Sequence, residues 1–113
     1  MKFEEFDKYI EIKDEENPFS HCYKLDDCVF YVEPVFHTQL MGFKMHYPDK
    51  FDEILTAIEK VVKKNKKVIF TGNFEFPQTK VADDEFILLE INDITDPLKI
   101  FVEDKSRGSD YGD

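Results

Sequence analysis

The stretch that decides the fold runs from Asp49 to Asn65 and reads DKFDEILTAIEKVVKKN. Its large apolar residues recur at steps of three and four, so on an α-helix they form one stripe: Phe51, Ile54, Leu55, Ile58, Val61 and Val62. Pro48 and Asp49 suit the first positions of a helix, and the lysines near Asn65 suit the negative end of its dipole. The pattern predicts one main amphipathic helix over about 49–65.

On both sides of this helix the sequence favours strands, because β-branched and aromatic residues alternate with turn residues. In residues 39–47, alternation places Met41, Phe43, Met45 and Tyr47 on one face. We expect this segment to form a hairpin with residues 28–36, where Pro34 indicates an edge position or a bulge. The further predicted strands cover residues 19–25, 67–74, 85–91 and 98–103.

The N-terminal residues fit two structures. Phe3, Phe6 and Ile10 have helical spacing, whereas residues 9–12 could begin a strand, and we expect a short helix or helical turn at 2–9. Together the segments predict a single α+β domain over residues 1–105, with the main helix packed on a mainly antiparallel sheet of five to six strands. Residues 106–113 have little to bury, which predicts a flexible C-terminal tail.

Composition narrows the possible functions. The chain has 113 residues, of which 42% are hydrophobic and 12 are Phe, so it can form a packed core, and its formal net charge is −10. This acid excess argues against a protein that grips nucleic-acid phosphates or adheres to an anionic membrane. The N-terminus lacks a signal-peptide pattern, the apolar runs are too short to span a bilayer, and cysteines are few. We therefore expect a cytoplasmic protein with reduced thiols.

Candidate catalytic and metal-binding groups have unfavourable spacing. A zinc site would have to gather its ligands from separate segments, because no compact ligand pair occurs among His21, Cys22, Cys28, His37 and His46. Asp26 and Asp27 would raise the pKa of a neighbouring thiol, which opposes nucleophilic catalysis. No glycine-rich phosphate loop is present. We expect no enzyme activity, no catalytic residues, no metal and no cofactor.

The charge is unevenly distributed along the chain. Residues 1–33 carry a net charge of −6, residues 34–67 carry +3, and residues 68–113 carry −7. If the two flanks meet in the sheet, their carboxylates form one acidic face, and an exposed aromatic side chain beside them would anchor a partner. The aromatic residues beside acidic clusters are the candidate anchors: Phe19, Tyr23, Phe74, Phe76 and Phe86. The predicted partner-binding carboxylates are Glu15, Glu16, Asp26, Asp27, Glu75, Asp83, Asp84 and Glu85.

In size and charge, the whole chain resembles the immunity proteins that bacteria pair with nuclease toxins, including those of contact-dependent inhibition systems. The resemblance implies a small inhibitor that binds a basic toxin domain and blocks its active site, with no direct contact to nucleic acid or membrane. Three alternatives stay open. They are a phage-encoded nucleic-acid mimic of the anti-CRISPR or anti-restriction type, an acidic accessory domain without an inhibitory role, and a small enzyme or metal-binding domain built on Cys22, His37, His46 or pairs of Asp residues.

Overall fold

The computed structural model describes residues 3–81 and 86–91 and the backbone of residues 101–103. A short 3-10 turn at Glu4–Phe6 precedes the first strand. The strands are β1 (Ile10–Ile12), β2 (His21–Leu25), β3 (Cys28–Val32), β4 (Lys67–Phe70), β5 (Ile87–Ile91) and β6 (Phe101–Glu103). Two α-helices, α1 (Pro34–His46) and α2 (Phe51–Asn65), lie between β3 and β4. The predicted tail at 106–113 lies outside the described residues.

All six strands form one sheet in the order β1-β2-β3-β4-β5-β6. Strands β1, β2 and β3 are antiparallel to one another, β3, β4 and β5 are parallel, and β6 returns antiparallel to β5. The α+β class is thus confirmed, but the sheet is mixed and the expectation of a mainly antiparallel sheet was wrong. The physical reason is the helical connection: α1 and α2 carry the chain back to the starting end of β3, so β4 runs parallel to it.

The main helix is confirmed, since α2 covers Phe51–Asn65 and buries its predicted stripe against the sheet. The strand predicted at residues 39–47 was wrong, because these residues lie in α1 and its C-terminal cap. Pro34 is the first residue of that helix, where its missing N–H costs nothing, and it marks no bulge. Phe36 and Leu40 are fully buried at helical spacing, while Met45 is 81% exposed.

The sheet has two differently covered faces. The helices and the N-terminal turn cover one face, where Phe6, Phe30 and Phe70 are fully buried. On the other face, one row across the sheet joins Cys22, Tyr31, Ile69 and Leu88, and half-buried residues of the segment after β4 pack on it.

Cys22 and Cys28 are both buried free thiols, and they belong to the clusters on opposite faces of the sheet. A disulfide bond between them is therefore excluded by geometry.

Within the described residues, no helix is long and apolar enough to cross a membrane.

Two glycines test the helical assignment of residues 34–46. A Cβ built on Gly42, inside α1, meets no atom within 4 Å, so Gly42→Ala should stabilise the fold by about 0.5–1 kcal/mol through helix propensity. A Cβ on Gly72, just after β4, would lie 2.6 Å from Val35 Cβ, so Gly72→Ala should destabilise the fold. Urea denaturation of both variants measures this. Destabilisation by Gly42→Ala would contradict a helix at this position.

Candidate interaction surface

Two loops converge at one end of the sheet. The loop before β2, residues 13–20, lies at this end because His21 pairs with Val32, the last residue of β3. The loop after β4 begins at the same end, since Phe70 also pairs with Val32. Glu33 directly follows β3 and precedes α1. It therefore lies between the two loops, at the end of the sheet where the parallel strands β3 and β4 finish.

Glu33 is a buried carboxylate, only 2% exposed. Its Oε1 accepts a hydrogen bond from the Thr71 hydroxyl at 2.9 Å, and its Oε2 accepts one from the Thr79 backbone N–H at 3.0 Å. A buried carboxylate without donors would cost several kcal/mol, so these two bonds hold the loop after β4 over the end of the sheet.

Asn17 joins the two loops. Its side-chain amide donates to the Lys80 carbonyl at 2.7 Å, and its Oδ1 accepts from the Lys80 N–H at 2.6 Å. The hydroxyls of Ser20 and Thr79 lie 2.6 Å apart and share a further hydrogen bond. Asn17 is 3% exposed, so its side chain is buried at the junction, and these hydrogen bonds tie the two loops together.

Asp14 fixes the first loop to the sheet. Its Oδ2 accepts hydrogen bonds from the Asn17 amide at 2.9 Å and from the Tyr31 hydroxyl at 2.7 Å, and its Oδ1 accepts one from the Glu16 N–H at 3.0 Å. The bonds from Asn17 and Tyr31 lower the pKa of the Asp14 carboxyl below its ordinary value, because they stabilise its charged form.

The joined loops present exposed aromatic side chains. Phe19 on the first loop is 73% exposed and Phe76 on the second is 74% exposed, whereas Phe74 packs half-buried against the sheet. Exposed carboxylates lie close to both residues in the sequence, Glu15 and Glu16 before Phe19 and Glu75 before Phe76. We call the set the Phe19–Phe76 surface: Glu15, Glu16, Phe19, Glu75 and Phe76.

The other predicted carboxylates do not join this surface. Asp26 and Asp27 form the turn between β2 and β3, at the opposite end of the strands, and Asp27 Oδ2 lies 3.5 Å from Lys66 Nζ. The predictions for Asp83, Asp84 and Glu85 lie outside the described residues. The two acidic flanks meet in the middle of the sheet, because β3 of the first flank pairs with β4, which belongs to the second flank from Val68 onward.

The two cysteines are buried, and His21 and His37 lie beside carboxylates. Burial raises the pKa of Cys22 to about 11, and burial together with Asp27 raises the pKa of Cys28. His21 Nδ1 lies 3.1 Å from Glu11, and His37 Nε2 lies 2.9 Å from Glu5. Across the described ranges, no cluster of three or more His, Cys, Asp or Glu side chains is arranged to hold a metal ion.

Sequence reasoning missed Glu33, Asn17 and Thr79, the residues that build the surface. A usable signal existed for Glu33, because a single charge directly after an apolar run and before a proline marks the junction of a strand and a helix. No local signal points to the pairing of Asn17 with Lys80, which are 63 residues apart.

Comparisons with protein-family models, with curated proteins and with solved structures find no match. The interpretation of this surface therefore depends on its geometry and charge.

Asn17→Asp tests the junction of the loops, because it replaces the donor to the Lys80 carbonyl with an acceptor of the same size. We expect a loss of about 1–3 kcal/mol in the free energy of unfolding and faster amide exchange at Lys80. Gln39→Glu, on the exposed face of α1, makes the same charge change and should stay within about 0.5 kcal/mol of the parent. Equal effects of the two variants would show that the junction contributes no stability.

The lowered pKa of Asp14 makes its contribution to stability pH-dependent. Because the folded state holds the charged carboxylate more strongly than the unfolded chain, this contribution is present above the unfolded value of 3.8 and is lost as the pH falls through the lower folded value. Asp14→Asn should therefore destabilise the fold at pH 7, and the difference from the parent should shrink below about pH 4. A difference independent of pH from 7 to 2, measured by denaturation, would contradict this account.

Proposed function

We propose that the chain is a small acidic inhibitor that binds a basic protein through the Phe19–Phe76 surface. The resemblance in size and charge to bacterial immunity proteins makes a nuclease toxin of a contact-dependent inhibition system the favoured partner. One observation carries the proposal: two exposed phenylalanines stand on loops that are hydrogen-bonded to each other, with exposed carboxylates beside both.

The aromatic side chains supply the apolar part of the binding energy. Burying a Phe side chain contributes about 1.5–3 kcal/mol, and large aromatic residues often dominate protein interfaces. Phe19 and Phe76 are exposed before binding, yet the bonds around Asn17 and Glu33 hold their backbones in place. Little conformational freedom is then lost when a partner binds.

The carboxylates supply attraction and orientation. A nuclease binds phosphates with Arg and Lys, and those cations also pair with carboxylates, most strongly when Arg makes two parallel hydrogen bonds. Glu15, Glu16 and Glu75 would take the positions that phosphates occupy on the toxin. The net charge of −10 adds long-range steering, which speeds association with a cationic partner.

The proposal is tested by co-expressing the chain with a panel of cationic nuclease domains from contact-dependent inhibition toxins. We expect growth to be rescued from at least one toxin and the purified complex to weaken as salt is raised from about 50 to 500 mM. Phe19→Ala and Phe76→Ala should each weaken binding about tenfold or more. Met45→Ala is the matched control, because Met45 is 81% exposed at the far end of α1.

Failure to rescue growth from any toxin in the panel would argue against an immunity role. Binding that does not depend on salt would contradict the electrostatic contribution. A complex weakened as much by Met45→Ala as by the two phenylalanine variants would place the interface elsewhere.

A further inference from the structure

Strand β1 is an open edge of the sheet. In the described part of the chain it pairs only with β2, from Ile10 opposite Lys24 to Ile12 opposite Cys22. The backbone N–H and C=O groups of a strand point alternately to its two sides, so some of those of β1 point away from β2. An edge of this kind can accept an extended segment of another chain as a further strand.

The edge is held in place at both ends. Before β1, the Tyr9 hydroxyl donates a hydrogen bond to Glu59 Oε2 on α2 at 2.6 Å. After β1, Asp14 Oδ2 accepts a hydrogen bond from the Tyr31 hydroxyl on β3 at 2.7 Å. A strand that is fixed in this way loses little conformational freedom when it accepts a neighbour.

Two exposed apolar side chains lie on one face of this edge. Ile10 is 68% exposed and Ile12 is 38% exposed. They lie on the face opposite the helices, because Ile12 pairs with Cys22, which belongs to the cluster on that face. Side chains directly opposite each other on neighbouring strands stabilise a sheet when they are β-branched or aromatic. An added strand should therefore carry apolar side chains opposite Ile10 and Ile12.

Glu11 determines the charge that suits an added strand. Its side chain is 46% exposed and lies on the helix-covered face, since Glu11 pairs with Tyr23 of the cluster there. Residues 7–16 contain five carboxylates and two lysines, and one of these lysines, Lys8, is paired with Glu59. A cationic side chain opposite Glu11 is attracted, whereas an acidic one is repelled.

The same charge argues against a second copy of this chain at β1. Two-fold antiparallel pairing centred on Glu11 places the two Glu11 carboxylates directly opposite each other, which destabilises a sheet. Two chains that each carry a net charge of −10 also repel each other. The occupant that fits the edge is a cationic extended segment of another protein.

We propose that β1 accepts an extended segment of the basic partner as an added strand, in which apolar side chains alternate with Arg or Lys. β1 leads directly into residues 13–20, the loop that carries Phe19, so this edge continues the Phe19–Phe76 surface. Only three residues of β1 can pair, so the edge binds weakly by itself and gains strength when the partner also occupies that surface. The identity of the partner rests on the proposed inhibitor function.

Short peptides test the edge by itself. In an NMR titration of the full chain, acetyl-Thr-Val-Arg-Val-Thr-amide should shift the backbone amide signals of residues 10–12, with a dissociation constant on the order of millimolar. The matched peptide with Glu in place of Arg should bind about fivefold more weakly or worse, because its carboxylate faces Glu11. Two further peptides carry N-methyl groups, on Arg or on both Val residues. Neighbouring N–H groups point to opposite sides of a strand, so one of these two peptides should lose binding and the other should keep it.

Variants locate the binding site. Ile10→Lys should weaken binding of the Arg peptide about fivefold, because it removes an apolar pair and adds a positive charge. Met45→Lys makes the same change at a side chain that is 81% exposed on α1, and it should leave binding unchanged. Glu11→Lys should reverse the preference, so that the Glu peptide binds more tightly than the Arg peptide.

Three results would each overturn the proposal: no shift at residues 10–12 up to about 10 mM peptide, equal binding of the two methylated peptides, or equal effects of Ile10→Lys and Met45→Lys. Signals of residues 10–12 that move with protein concentration alone would also overturn it, because a second copy would then occupy the edge. Strand binding without rescue from any toxin would contradict the proposed function alone. Rescue without strand binding would contradict this inference alone.

Discussion

The buried carboxylate of Glu33 is the constraint on which the functional end of the molecule depends. It lies where β3 ends and α1 begins, a place enclosed by the sheet, the helix and the following loops. A carboxylate in such a place must receive hydrogen bonds, because burial removes its water. The Thr71 hydroxyl and the Thr79 N–H supply them, and residues 71–80 are thereby drawn across the end of the sheet.

The position of the loop after β4 sets the position of the loop before β2. Once Thr79 is held by Glu33, its neighbour Lys80 is placed to pair with Asn17, and the loop before β2 is held as well. Two segments more than 50 residues apart then form one surface with a fixed backbone. Phe19 and Phe76 are exposed on these two loops.

The main helix, α2, could be predicted because its pattern is local in the sequence. Residues 51–65 carry a helical stripe with suitable charges at both ends, and no strand pattern competes with it. Residues 39–45 carry both patterns, since alternate residues are apolar while Phe36, Leu40 and Phe43 also have helical spacing. Reading Pro34 as a helix start would have decided between them. Parallel pairing of β3 with β4 could not be predicted, because it depends on two helices returning the chain to the same end of the sheet.

The candidate site was predictable only in its exposed part. Acidic residues next to aromatic residues in the sequence indicated Glu15, Glu16 and Glu75 as partner-binding carboxylates. Alternation alone, however, places Phe74 and Phe76 on the same face of a strand, and so predicts the same exposure for both. The structure separates them, because the chain after β4 is a loop rather than a strand. Local charge patterns also could not show that Asp26 and Asp27 lie at the far end of the strands. Distinguishing these groups required the three-dimensional arrangement of the loops.

The most direct test of the central claim is native-state hydrogen exchange at the Thr79 amide, whose proton is bound to Glu33 Oε2. If the buried carboxylate holds the two loops as one unit, this amide exchanges only with global unfolding, at the same free energy as the amides of β4. Exchange as fast as that of an exposed loop amide such as Phe76 would contradict the account, because the loops would then open independently of the sheet.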